Sequence, residues 1–131
     1  MEVRSELSRI IINETTDEQI IVLKECDGPR CFIIGIGIVE AFAIDRGLKD
    51  IKMPRPMTHD LLRGVVDSLG GTLENILVTD LVHHTYYAVL RVRTKEKLIE
   101  IDSRPSDAIA LATAAKVPIF VDEKVFQKAG Q

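Results

Sequence analysis

The sequence predicts an α+β domain: duplicated βββα units joined by a linking helix, making a mostly antiparallel or mixed sheet with helices packed on it. Three observations carry this. Residues 8–44 can be laid over residues 75–111 without a gap, so that Ile10-Ile11-Ile12 falls on Leu77-Val78-Thr79, Ile21-Val22-Leu23-Lys24 on Ala88-Val89-Leu90-Arg91, and Glu40-Ala41-Phe42-Ala43-Ile44 on Asp107-Ala108-Ile109-Ala110-Leu111. Short apolar runs are separated by polar turn clusters, as strands are. Helix-start signals then follow the third run of each copy. At 131 residues the chain is a single domain, 1–131, with the internal repeat 8–44 and 75–111.

The elements follow in order. Residues 2–13 read as a strand, and Asn13–Asp17 as a polar turn. Residues 18–25 and 31–35 are strands joined by Asp27-Gly28-Pro29. Residues 38–47 read as a helix with Val39, Phe42 and Ala43 on one face and Gly47 as its stop. After a connector carrying Pro54 and Pro56, Thr58 suits the N-cap of a helix through Leu69, ended by Gly70-Gly71. Leu61, Leu62, Val65, Val66 and Leu69 form one apolar stripe on it, with His59, Asp60, Arg63 and Asp67 off the stripe. Strands follow at 75–82, 85–93 and 97–102. Pro105 and Asp107 mark the start of an Ala-rich helix through Lys116. A strand at 118–121 and an amphipathic tail at 122–129 complete the chain.

Composition narrows the functional classes. The hydrophobic fraction is 46% and the charged fraction 28%, within the range of ordinary globular domains. Net charge is −3, so nucleic-acid binding through a global basic excess is excluded and any such binding is local. The strongest basic stretch is Arg91, Arg93, Lys95 and Lys97, continued by Arg104 and interrupted by Glu96, Glu100 and Asp102. No signal-peptide pattern opens the chain and no apolar run is long enough to span a bilayer, so a cytoplasmic protein without a membrane partner is the expectation. Cys26 and Cys31 flank a turn. Opposed across a hairpin they would stand about 4.5–5.5 Å apart at Cα, within disulfide reach, although a reducing compartment favours free thiols. No dinucleotide fingerprint, Walker loop, nucleophile elbow or zinc-protease motif is present.

The chemistry concentrates in the loops that enter the helices. Gly35–Glu40 is apolar except for Glu40, whereas Asp102-Ser103-Arg104-Pro105-Ser106-Asp107 is almost wholly polar. Six polar residues are costly to bury unpaired, so the second loop is expected to face a cavity, a partner or solvent. Asp102 and Asp107, with Glu40, are oxygen ligands of the kind magnesium or manganese takes. Arg104 suits a bidentate phosphate contact, with Arg55 and Ser106 as further substrate contacts. Arg55-Pro56-Met57-Thr58-His59-Asp60 repeats the Arg-Pro, hydroxyl and carboxylate pattern. His59 is the one side chain near a helix start of a type suited to general acid–base work at neutral pH. His59, Asp60, Asp102 and Asp107 are therefore the catalytic candidates, expected to meet in one pocket with Glu40 and Arg104. The same residue types also serve as plain helix caps and ion pairs.

These segments carry a resemblance. RPMTHDLL at 55–62 and IDSRPSDAIALA at 101–112 resemble the signature segments of the bifunctional nuclease domain family, and IGIGIVEAFAI at 34–44 resembles its strand-to-helix passage. The resemblance spans about residues 5–122. Glu40, Arg55, Thr58, His59, Asp60, Asp102, Arg104, Ser106 and Asp107 match the family pattern position by position. It implies a small cytoplasmic protein or domain with plant relatives active on RNA and DNA, and it carries no mechanism. Two readings follow: a nuclease without sequence choice, with RNA or DNA as substrate and a magnesium or manganese ion assisting, or a non-catalytic dimeric module that binds a small anionic ligand or a protein. Open sheet edges and an apolar surplus make a homodimer the expected assembly.

Overall fold

The structure, a computed structural model, describes residues 1–130. Its strands are β1 (Glu2–Ile11), β2 (Gln19–Glu25), β3 (Cys31–Ile36), β4 (Thr72–Val82), β5 (Thr85–Arg93), β6 (Leu98–Ser103) and β7 (Ile119–Asp122). Its helices are α1 (Ile38–Leu48), α2 (Thr58–Ser68), α3 (Pro105–Ala115) and α4 (Glu123–Ala129). All seven strands join one mixed sheet in the order β3-β2-β1-β7-β4-β5-β6. The meanders β1-β2-β3 and β4-β5-β6 are antiparallel. The short β7 lies between them, antiparallel to β1 and parallel to β4.

Alternation decides which face is covered. In β2, Ile21 and Leu23 are fully buried, while Ile20, Val22 and Lys24 between them are half-buried. In β5, Ala88, Leu90 and Val92 point into the same core. α3 closes it with Ala108, Ile109, Ala110, Leu111 and Ala112, all buried, and the alanines let the helix lie close on the sheet. Each fully buried Ile or Leu here contributes about 1.5–3 kcal/mol. Phe32 ties α4 to the sheet, stacking on Tyr86 at 5.3 Å and meeting Phe126 edge-on at 5.2 Å.

Several local expectations change. Gly47 does not stop α1. It lies inside the helix, where an added Cβ would stand 2.8 Å from Thr113 Oγ1 and 3.2 Å from the Ala114 nitrogen, so it is where α1 crosses α3 most closely. Beyond the Lys49 C-cap, the chain turns through Asp50, which takes a left-handed φ of 57°. Thr58 is the first residue of α2 rather than its cap, which is Met57. Cys31 pairs with Lys24 rather than Cys26, because the Cys26 N–H bonds instead to the Arg4 carbonyl at 2.9 Å; both thiols are free and exposed.

α2 is the exception to the packing. None of its residues is buried, and Leu61, Leu62, Val65 and Leu69 of its apolar stripe are exposed. It is held against α3 by polar contacts, among them Arg63 Nη1 donating to the Ala114 carbonyl at 3.2 Å. Two glycines therefore respond oppositely to the same change. Gly47→Ala overpacks the α1–α3 crossing and is expected to cost about 1–3 kcal/mol. Gly64→Ala, in open space within α2, should stabilise by about 0.5–1 kcal/mol. Urea unfolding of the two variants checks both signs.

Candidate active site

The site is assembled where the N-termini of α2 and α3 meet. His59 is the second residue of α2 and Asp107 the third of α3. His59 Nε2 stands 2.9 Å from Asp107 Oδ1. A carboxylate only accepts, so the neutral imidazole carries its proton on Nε2 and presents Nδ1 as the basic nitrogen. The other oxygen, Asp107 Oδ2, accepts from Arg104 Nε at 2.9 Å. Arg104 Nη2 also lies 3.7 Å from Glu40 Oε2, an ion pair without a hydrogen bond. These groups line a cavity of about 470 Å³ with Thr58, Asp102 and Ser103, walled by the apolar Val39, Leu62, Val66, Leu90 and Ile101.

Burial grades the set. The His59 side chain is 13% exposed and that of Asp107 28%, so their contact is partly shielded from water. Arg104 is 66% exposed, leaving guanidinium N–H groups free to meet a ligand. Burial pushes the Asp107 carboxyl up, but hydrogen bonds from His59 and Arg104, with the Arg104 charge, outweigh it and hold the carboxyl below its ordinary range. The pair Asp60 and Asp107 shows how one position serves two ends. Each is the third residue of its helix. Asp60 turns back to accept the Met57 N–H at 3.0 Å, as a helix cap does, whereas Asp107 reaches sideways to His59.

Residues 21–131 match the family model of the bifunctional nuclease domain. The chain belongs to the bifunctional nuclease domain family. An uncharacterized protein of Mycobacterium tuberculosis is 36% identical over 121 residues, covering 92% of this chain and 72% of its own. Bifunctional nuclease 1 of Oryza sativa is 29% identical over 119 residues, and bifunctional nuclease 2 of Arabidopsis thaliana 32% over 108. Those matches cover 87% and 79% of this chain but only 36% and 32% of the plant proteins, so it spans about a third of their length.

Within this bifunctional nuclease domain, the expected residues divide. Glu40, His59, Asp102, Arg104 and Asp107 line one cavity. Asp60 is engaged as the α2 cap and lines a neighbouring cavity instead. Ser106 is buried at the start of α3 and faces a separate cleft. Arg55 is exposed on the connector, outside the cavity lining. The apolar walls had a visible signal in the α2 stripe, but nothing in the stripe told that it would border a cavity rather than fill the core.

The donors expected for magnesium or manganese are not gathered into a three-ligand set. Among the described residues no three His, Cys, Asp or Glu side chains stand together closely enough to hold one. Asp107 has both oxygens committed. Asp102 pairs with Val89 in the β5–β6 ladder and lines the cavity edge beside Ile101 and Ser103.

The Asp107 geometry sets a pH signature. Its folded pKa lies below the unfolded value of about 3.9, so its stabilising contribution is complete above that value and is lost as pH falls through the folded pKa. Denaturation of the wild type and Asp107→Asn from about pH 5 downward should show their stability difference shrinking below about pH 4. A difference that grew on acidification in that range would contradict the assignment.

Proposed function

We propose that this domain hydrolyses phosphodiester bonds in RNA and DNA without sequence choice. The observation that carries the reading is the His59–Asp107–Arg104 constellation at the mouth of a cavity. Asp107 orients the imidazole and stabilises the imidazolium that forms when Nδ1 takes a proton. His59 removes a proton from water, and the water oxygen bonds to phosphorus. The P–O bond to the leaving nucleoside breaks, and that oxygen takes a proton from solvent. Arg104 offers its free N–H groups to the non-bridging oxygens, where charge accumulates. Because water is the nucleophile, the route serves DNA as well as RNA. The plant relatives' names support the substrate class.

We also read the two meander–helix halves as copies of one unit. Glu40 and Asp107 occupy equivalent places in the repeat, and both pair with Arg104. The copies differ in that only the second faces a histidine from α2.

The purified protein should cut single-stranded RNA and DNA. His59→Ala should lower kcat by about 10²–10⁴. Cleavage should persist with a chelator present. Loss of cleavage in chelator would transfer the chemistry to a bound ion and remove the histidine from the central role.

The dimeric module is the second reading, favoured by the apolar face of α2. That face adjoins the open edge strand β6 across the cavity, where Leu62 and Val66 meet Ile101. A second copy docked about a twofold axis there would cover stripe and edge together. Sedimentation should therefore give a dimer, and Leu69→Glu, at a side chain 82% exposed in the monomer, should dissociate it while the fold is kept.

A further inference from the structure

A nucleic-acid substrate brings more than one phosphate, and this acidic chain must find charge for them. The basic run of β5 does not supply it. Arg91 is bound to Glu2 at 2.7 Å and to Glu100 at 3.0 Å, and Arg93 to Glu74 at 2.9 Å. Those ion pairs neutralise Arg91 and Arg93, the two strand arginines of the run that looked most attractive to phosphate.

Three cations outside any ion pair among the described residues lie together between the helices. A second cavity, of about 130 Å³, is enclosed by α1, α2, α3 and the α1–α2 connector. Arg46, Lys52 and Arg63 line it, and His59 forms part of both this cavity and the one holding Asp107. Among the described residues neither Arg46 nor Lys52 has a hydrogen bond or ion pair from its side chain, and Arg63 bonds only to the Ala114 carbonyl. The cavity's carboxylates are otherwise engaged: Asp60 accepts from the Met57 N–H, and Asp50 lies 3.6 Å from Lys116 Nζ. The lining sets three cations against the two carboxylates Asp50 and Asp60, and a recess with that positive excess draws anions. Its volume is well below the roughly 300–1,000 Å³ of pockets that take drug-sized ligands, so it suits a phosphate group and not a base with its sugar.

We propose that this cavity is a phosphate subsite, holding the phosphate next to the scissile one in the substrate strand, with Arg46 and Lys52 as its principal contacts. The inference rests on the nuclease reading for the identity of the strand. It gives a chain of net charge −3 a local positive recess beside His59 in which to hold a polyanion.

The test is binding of a short fluorescein-labelled single-stranded oligonucleotide, read by anisotropy across a salt series, for wild type, Arg46→Gln/Lys52→Gln and Lys52→Gln. Lys52 is exposed, so the single variant keeps the fold if the double one does not. The double variant should bind about tenfold more weakly, as expected for a lost charge-assisted contact. Its slope of log affinity against log salt should flatten by about 0.7, the value for one phosphate on a single strand. In cleavage, KM should rise for a trinucleotide and stay unchanged for a dinucleoside monophosphate, which has no second phosphate. Unchanged affinity and slope in a folded variant, or a wild type that does not bind the oligonucleotide, would overturn the subsite. If the wild type binds through Arg46 and Lys52 but cuts nothing, the subsite stands and the nuclease reading falls. If cleavage depends on His59 while binding ignores both cations, the reverse holds.

Discussion

One carboxylate holds the site together. Asp107 accepts from His59 with one oxygen and from Arg104 with the other, and so joins α2, α3 and the β6–α3 loop. The bond matters mechanically because α2 buries none of its residues. With Val66 packed against the core but no residue fully buried, the helix has little hydrophobic attachment, so polar contacts at its N-terminus and along Arg63 help to fix where it sits. The group that would tune the histidine is thus also the group that positions its helix. Partial burial makes the arrangement worthwhile: with water partly excluded, the two hydrogen bonds and the Arg104 charge overcome the cost of desolvating the carboxylate.

The distribution of charge follows a similar economy. Opposed charges on the outer sheet face neutralise each other through Glu2, Glu74, Arg91, Arg93 and Glu100. Arg30 does the same at the β2–β3 turn, gripping Glu25 and Glu123 and lying over the Phe126 ring at 4.8 Å. Arg46, Lys52 and Arg63, none of them in an ion pair among the described residues, line the recess between the helices. No helix among the described residues is long and apolar enough to cross a membrane.

The apolar stripe of α2 and the open edge of β6 are features a monomer leaves exposed. Their adjacency at the cavity means that whatever covers them also shapes access to His59 and Asp107.

The sequence by itself determined the order and kind of nearly every element, because apolar alternation, Asp-Gly-Pro, Gly70-Gly71 and Pro105 are local signals with local causes. It also marked the residues that meet in the cavity: Glu40, His59, Asp102, Arg104 and Asp107 were all legible as polar groups at strand ends and helix starts. Three-dimensional packing alone decided how those residues are used. Asp60 and Asp107 carry the same helix-start signal, yet one caps and the other clasps a histidine, because only Asp107 has His59 of the neighbouring helix within hydrogen-bond reach. Gly47 reads as a helix stop, but its place against Thr113 makes it a packing contact. Ser106 reads as a polar contact of the same pocket and lies buried against a separate cleft. Local sequence specifies backbone conformation residue by residue, whereas the partner of a side chain depends on chain segments tens of residues away, and those are brought together only when the sheet and helices close on one core.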